Sequence, residues 1–250
     1  MLLAGCFKKQ DIHAVLLISH AGMGLNIPNS IYHDNSREAV ELACSMIGCD
    51  GVEIDVQLSK DEELWLYHDA TLDTETNGVG CIADMINNQL SQLTYSSFHK
   101  ESLCRLTDIP IESFQGKNIF FDLRHLNSCT SKFVSVDTMV ARLTTLKLNP
   151  DRMFVITNYE QWIDPLKQAG FSVLFQLEMA DGISQTADAA DGFMIRNSLI
   201  TKEQVKKIKD AGKKLFIFDV RSPKGIRSAF GKHPDGVLSD DIRAAIIEKN

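Results

Sequence analysis

The chain carries no surplus of positive charge: 26 Lys and Arg stand against 33 Asp and Glu, a formal net charge of −7 over 250 residues. Affinity for a phosphate backbone rests on clustered Lys and Arg, so nucleic acid is excluded as a partner. An anionic ligand would need a local device, such as a metal ion or a helix N-terminus. Long runs of like charge are absent, and 44% hydrophobic against 24% charged residues is a globular balance without a disordered tail. No apolar stretch in the body of the chain is long enough to span a membrane. The six cysteines, Cys6, Cys44, Cys49, Cys81, Cys104 and Cys129, lack the paired CxxC spacing of zinc sites and read as thiols. Cys44 and Cys49, five apart on a helix-to-loop segment, are the pair left open for a disulfide.

What is present begins at the N-terminus, where Leu3-Ala4-Gly5-Cys6 resembles the lipobox of bacterial lipoproteins. Only five residues precede Cys6, fewer than a secretory signal needs, so the resemblance implies an upstream start. On that reading residues 1–12 are a tether and a lipidated Cys6 anchors the protein in the bacterial cell envelope or periplasm. An unmodified terminus implies a cytoplasmic location instead. Residues 13–250 form one domain, a size typical of a single α/β barrel.

Eight apolar runs recur along that domain: Val15–Ser19, Gly51–Leu58, Asn118–Leu123, Met153–Thr157, Ser172–Leu177, Gly192–Arg196, Lys214–Val220 and Gly236–Ser239. Glu63–Tyr67 reads as an extra strand beside the second run. Between them lie helical patterns, one capped by Ser36 and one by Thr201. Continuous apolar runs suit strands buried on both faces, as in a parallel sheet. A doubly wound sheet fits the same alternation; the count of eight favours a (β/α)8 TIM barrel. Residues of about 71–110 break the pattern and read as an insertion over the C-terminal mouth, where barrel enzymes work. Its Tyr95 and Phe98 are too few apolar groups to mark a lipid-binding surface.

Polar residues at strand ends then become informative. Glu53 and Asp55, two apart within an apolar strand, project to one side, which in a barrel is the interior. Two ionised carboxylates converging there repel each other, and a divalent cation is the economical way to neutralise them. A salt bridge to Arg or Lys is the competing reading, and it barely offsets its own desolvation. His20 and His68 close neighbouring segments. A single histidine at a strand end is usually structural, but two beside a carboxylate pair point to proton transfer. Among the polar residues at other strand ends, Asn158, Gln176, Glu178, Arg196 and Asp219, Glu178 is read as a further substrate contact.

Ser19-His20-Ala21-Gly22, Asp50-Gly51-Val52-Glu53-Ile54-Asp55-Val56-Gln57 and His68-Asp69-Ala70-Thr71-Leu72 with Thr76-Asn77-Gly78 resemble the motifs of the glycerophosphodiester phosphodiesterases. Asp235-Gly236-Val237-Leu238-Ser239-Asp240 is similar to that family's last-strand segment. The resemblance implies His20 and His68 as the acid-base pair, with His20 as base and His68 as acid. It implies Glu53, Asp55 and Asp122 as ligands of a divalent ion, Ca2+ or Mg2+. Asp122 stands where the family has a Glu, and Arg124 where it has a Lys; Arg124 would grip phosphate. Two further departures concern the first motif. Ala21 replaces the Arg of His-Arg-Gly, and Asp34-Asn35-Ser36 takes the place of Glu-Asn-Thr after an insertion of roughly Met23–His33, making Asp34 a substrate-binding candidate.

The implied activity is metal-dependent hydrolysis of a glycerophosphodiester to glycerol phosphate and an alcohol, acting on a small-molecule or lipid-derived phosphodiester. Phosphatidylinositol-specific phospholipase C and sphingomyelinase D share the barrel and two-histidine chemistry, though the former often works without an acidic metal trio. A non-catalytic binding protein on the same scaffold is the remaining alternative, motivated by Ala21 and Asp122.

Overall fold

Strands buried on both faces carry unbroken apolar runs, and here eight of them close into a parallel barrel. The computed structural model describes residues 14–25, 27, 30–124, 134–181 and 183–250. Its strands are β1 (Leu16–Ser19), β2 (Gly51–Leu58), β3 (Leu64–Leu66), β4 (Cys104–Arg105), β5 (Asn118–Leu123), β6 (Met153–Thr157), β7 (Ser172–Leu177), β8 (Gly192–Arg196), β9 (Lys214–Val220) and β10 (Gly236–Ser239). The order β1-β10-β9-β8-β7-β6-β5-β2 is closed by β1 against β2, with Ile18 opposite Gly51 and Ser19 opposite Val52. The expected (β/α)8 barrel is therefore borne out. The extra strand is also present, running antiparallel to β2, and it carries the two-residue β4 on its far side. The proposed tether at residues 1–12, with Cys6, lies outside the described residues.

Alternation within each strand divides the core into two layers. Val52, Ile54 and Val56 point outward, into the layer shared with the helices. Ile18, Phe120, Phe154, Leu174, Met194, Phe216 and Leu238 fill the barrel interior. Phe120 stacks on Phe154 with centroids 4.5 Å apart and meets Phe216 edge-on at 5.0 Å. This apolar floor explains where polar chemistry sits. Two residues further along the same faces come His20 after Ile18, Asp122 after Phe120 and Asp240 after Leu238, so one step up each strand turns the interior from apolar to ionisable.

The expected helix caps are in place: Ser36 Oγ accepts from Ala39 N–H at 3.1 Å, and Thr201 forms a capping box with Gln204. The inserted region packs Leu72, Ile82, Leu90, Tyr95 and Leu103 against Trp65 of β3 and the adjoining Tyr67 in a separate small core. Tyr95 is buried there and its hydroxyl donates to Leu66 O at 3.2 Å, whereas Phe98 is exposed. Cys81 is disulfide-bonded, which corrects the reading of the cysteines as thiols, while Cys44, Cys49 and Cys104 are free.

One glycine joins the first loop to the last strand. Gly24 has φ +109°, and a Cβ there would lie 2.0 Å from Asp240 O. Gly24→Ala is expected to destabilise the protein by more than about 1 kcal/mol, because backbone conformation and close approach both oppose it. Thermal unfolding checks this; an unchanged midpoint would contradict it.

Candidate active site

Strand register assembles the carboxylates. Asp55 on β2 pairs with Asp122 on β5, and Glu53 lies two residues before Asp55 on the same face. Glu53, Asp55 and Asp122 each offer an oxygen within 4.8 Å of the others. At such separations each ionised pair repels by about 3 kcal/mol at an effective dielectric near 20. Burial, then the charge of Asp55, pushes the Glu53 pKa well above the usual carboxylate range. Asp122 is raised by burial and by Asp55, against the opposing Arg124.

A salt bridge neutralises only part of this cluster. Arg124 Nη1 lies 3.3 Å from Asp122 Oδ2 and 3.7 Å from Asp55 Oδ1. One guanidinium therefore serves two of the three carboxylates, and Asp55 Oδ1 is buried with no hydrogen bond. Asp55 Oδ2 is held by Asn35 Nδ2 at 2.8 Å, while Asn35 Oδ1 accepts from Asp55 N–H at 3.0 Å. The first of these hydrogen bonds aims the Asp55 carboxylate, and the second ties Asn35 to the Asp55 backbone. Ala21, where the family resemblance calls for Arg, is fully buried, and its N–H donates to Glu53 Oε2 at 2.8 Å. Three convergent carboxylates with one unsatisfied buried oxygen fit a hard divalent cation, which takes oxygen ligands.

The two histidines flank this cluster. His20 Nδ1 is 2.7 Å from Asp240 Oδ1, and its Nε2 faces Glu53 Oε2 at 3.7 Å. Burial alone would lower the His20 pKa, but the Asp240 hydrogen bond and the charges of Glu53, Asp240 and Asp55 raise it to about 9. His68, between β3 and the insertion, has Nδ1 2.7 Å from Asp69 Oδ1. Each imidazole thus has one nitrogen tied to a carboxylate, which fixes its tautomer and leaves the other for chemistry.

Of the expected residues, His20, Glu53, Asp55, His68, Asp122 and Arg124 come together at the C-terminal mouth. Asp34 is buried in a separate group with His33 and Glu75, whose ligand atoms also lie within 4.8 Å of one another. There His33 stacks on Tyr95 at 3.9 Å, and Glu75 is pushed up to about 7 by burial and by Asp34 and Asp69. Glu178 stands exposed one residue beyond β7 and belongs to neither group of convergent ligand atoms. Sequence reading passed over Asp240 and Asn35 as functional groups. The signal for Asp240 was its place two residues after Leu238 in the last-strand segment; Asn35 lay within the Asp34-Asn35-Ser36 stretch.

The sequence profile of the Glycerophosphoryl diester phosphodiesterase family matches residues 20–244. Over 78 residues the chain is 38% identical to the glycerophosphodiester phosphodiesterase of Caldanaerobacter subterraneus subsp. tengcongensis, covering 31% of this chain and 30% of that protein. The aligned stretches thus span about a third of the curated relatives they match. In fold, the chain is similar to a glycerophosphodiester phosphodiesterase from Agrobacterium tumefaciens, with TM-score 0.76, 19% identity and 93% and 99% of the two chains covered. It is also similar to an Oleispira antarctica phosphodiesterase solved with the product sn-glycerol-3-phosphate, with TM-score 0.78, 20% identity and 93% and 96% covered. With a profile match that runs from the first catalytic candidate, His20, past its partner Asp240, the chain belongs to the Glycerophosphoryl diester phosphodiesterase family.

Proposed function

We propose that the protein hydrolyses a glycerophosphodiester to glycerol phosphate and an alcohol, using a divalent ion and two histidines. The observation that carries this reading is the convergence of His20 and His68 on two buried carboxylates and the half-buried Asp122 at one barrel mouth. Relatives named for this activity, and a neighbour holding sn-glycerol-3-phosphate, support the substrate class. Glu53, Asp55 and Asp122 would hold the ion, Ca2+ or Mg2+, which when bound supplies Lewis-acid stabilisation of the phosphate charge.

The chain's own residues do the rest. Arg124, half-buried beside Asp122, offers a guanidinium to the phosphate oxygens. His20 takes a proton at Nε2 from the attacking hydroxyl or water, with Asp240 steadying the imidazolium through Nδ1. His68 donates its proton to the leaving alcohol, and Asp69 orients the ring. His20 must be neutral to act as a base; a cation held by Glu53 and Asp55 would cancel two of the charges that raise its pKa, leaving the Asp240 hydrogen bond in place.

A location in the cell envelope with a lipidated Cys6 belongs to the same proposal. The Cys81 disulfide supports it, since such bonds persist in oxidising compartments. Mass analysis of the N-terminus of the exported protein tests it: an acylated Cys6 agrees, and an unmodified one removes it.

The activity is tested by glycerol phosphate release from a panel of glycerophosphodiesters, with and without chelator, for wild type and His20→Ala. Turnover that disappears with chelator and falls by about 10² to 10⁴-fold in His20→Ala is expected. A folded wild type that turns over none of the panel with any divalent ion would overturn the reading and leave a binding protein on this scaffold.

A further inference from the structure

Gln57 lies two residues past Asp55 on the same face of β2 and is 1% exposed. Its Nε2 donates to Tyr67 O at 2.9 Å and to Asp69 O at 2.7 Å. These are the carbonyls on either side of His68. Both partners are acceptors, so the amide must turn its NH2 end toward them. The backbone ladder between β2 and this segment ends where Tyr67 N–H donates to Asp55 O at 3.1 Å. From there the Gln57 side chain takes over, gripping the main chain of His68's two neighbours. One of them, Asp69, also holds the ring nitrogen of His68 at 2.7 Å.

Packing alone does not account for this glutamine. Its Oε1 is buried without a hydrogen bond, and an unsatisfied buried acceptor costs about 1–3 kcal/mol. A leucine or methionine of similar volume would fill the same space without that cost. What an aliphatic side chain cannot supply is two donors aimed at the carbonyls of residues 67 and 69.

We propose that Gln57 is a positioning residue for His68, holding the histidine and its Asp69 partner at the height of the carboxylate cluster by two hydrogen bonds to the flanking backbone. This rests on the reading of His68 as proton donor to the leaving alcohol. A Gln57→Leu variant removes both donors and keeps the bulk. A displacement of about 1 Å in a catalytic group costs about a hundredfold, so a loss of about tenfold to a hundredfold in kcat is expected on glycerophosphodiesters of aliphatic alcohols. KM and divalent-ion affinity should stay as in wild type, while the thermal midpoint falls, because the carbonyls of Tyr67 and Asp69 lose their donor.

Two readouts separate positioning from a general structural role. A nitrophenyl ester leaves without needing a proton, so Gln57→Leu should retain wild-type turnover on it. The double variant with His68→Ala should be no slower on aliphatic esters than His68→Ala alone, because the two residues act through one group. Equal losses on both leaving groups, a double variant slower than His68→Ala, or no loss at all would each overturn the proposal; Gln57→Met serves if the leucine variant does not fold. Should the wild type prove inert on every substrate, the catalytic reading fails, and histidine-labelled NMR spectra decide the positional claim. A single sharp His68 ring signal that shifts and broadens in Gln57→Leu supports it; an unchanged signal refutes it.

Discussion

Glu53→Gln is expected to abolish divalent-ion binding and lower turnover by about 10² to 10³-fold, while making the metal-free protein more stable. The two effects have one origin. Glu53 is buried within 4.8 Å of the oxygens of Asp55 and Asp122, and its carboxylate is a cost until a cation arrives. Glutamine keeps an oxygen able to accept the Ala21 N–H that Glu53 accepts at 2.8 Å, so the exchange removes charge and little else. Relief of about 1 kcal/mol would raise the unfolding midpoint by about 2–4 °C in a chain of this size. The pH dependence has a definite sign. The folded pKa of Glu53 is raised well above 4.5, so native metal-free protein holds a proton that the unfolded chain has lost. Stability of the wild type therefore rises as pH falls from neutrality toward 4.5, and Glu53→Gln flattens that rise. A saturating divalent ion should reverse the slope in wild type and leave the variant unaffected. Calorimetry across that pH range, with and without ion, checks the prediction. A variant that is less stable without metal, or that still binds the ion, would mean that Glu53 is paired rather than waiting for a ligand.

The barrel was legible because parallel strands buried on both faces must be apolar throughout, and each of the eight runs became a barrel strand. β4 escaped because two residues carry no period, and Cys104-Arg105 pairs with β3 across a long insertion. Glu53 and Asp55 stood out as charges inside an apolar strand. Asp122, alone in its strand, was reached only through family resemblance, since one carboxylate at a strand end does not announce which partner the register will place beside it. The same limit hid the Asn35 clamp on Asp55, and the grouping of His33 and Glu75 with Asp34. Each depends on how loops far apart in sequence meet once the barrel closes. Asp240 is the clearest case: its partner His20 lies 220 residues away, and only the pairing of β1 with β10 brings them into contact.

That contact carries the second large effect. Asp240→Asn is expected to reduce turnover by up to about 10⁴-fold, the loss that follows when the carboxylate behind a triad imidazole is replaced by its amide. Asp240 is fully buried; its Oδ1 faces His20 Nδ1 at 2.7 Å and accepts from Leu25 N–H at 3.0 Å, while Oδ2 faces Arg221 Nε at 3.4 Å. An asparagine cannot meet all three. With its oxygen toward His20 and Leu25, its NH2 opposes the guanidinium; turned around, the NH2 opposes Leu25 N–H and forces the proton of His20 onto Nε2, the nitrogen that must accept. In either orientation the negative charge is gone, so the His20 pKa should fall from about 9 toward 6.5 in the metal-free protein. Stability follows the same pair. His20, with a raised pKa, contributes stability that is full below 6.5 and lost as pH rises through about 9. Burial would raise the Asp240 pKa, but the His20 hydrogen bond and charge bring it below 3.8, so its contribution is present above that value and lost as pH falls through the folded pKa. The difference in stability between wild type and Asp240→Asn should thus be greatest between about pH 4 and 6.5 and shrink as pH approaches 9. NMR titration of His20 and unfolding at several pH values measure both. If the variant keeps its turnover and the His20 titration does not move, Asp240 is a loop anchor for Leu25, and the orientation of His20 must come from Glu53 alone.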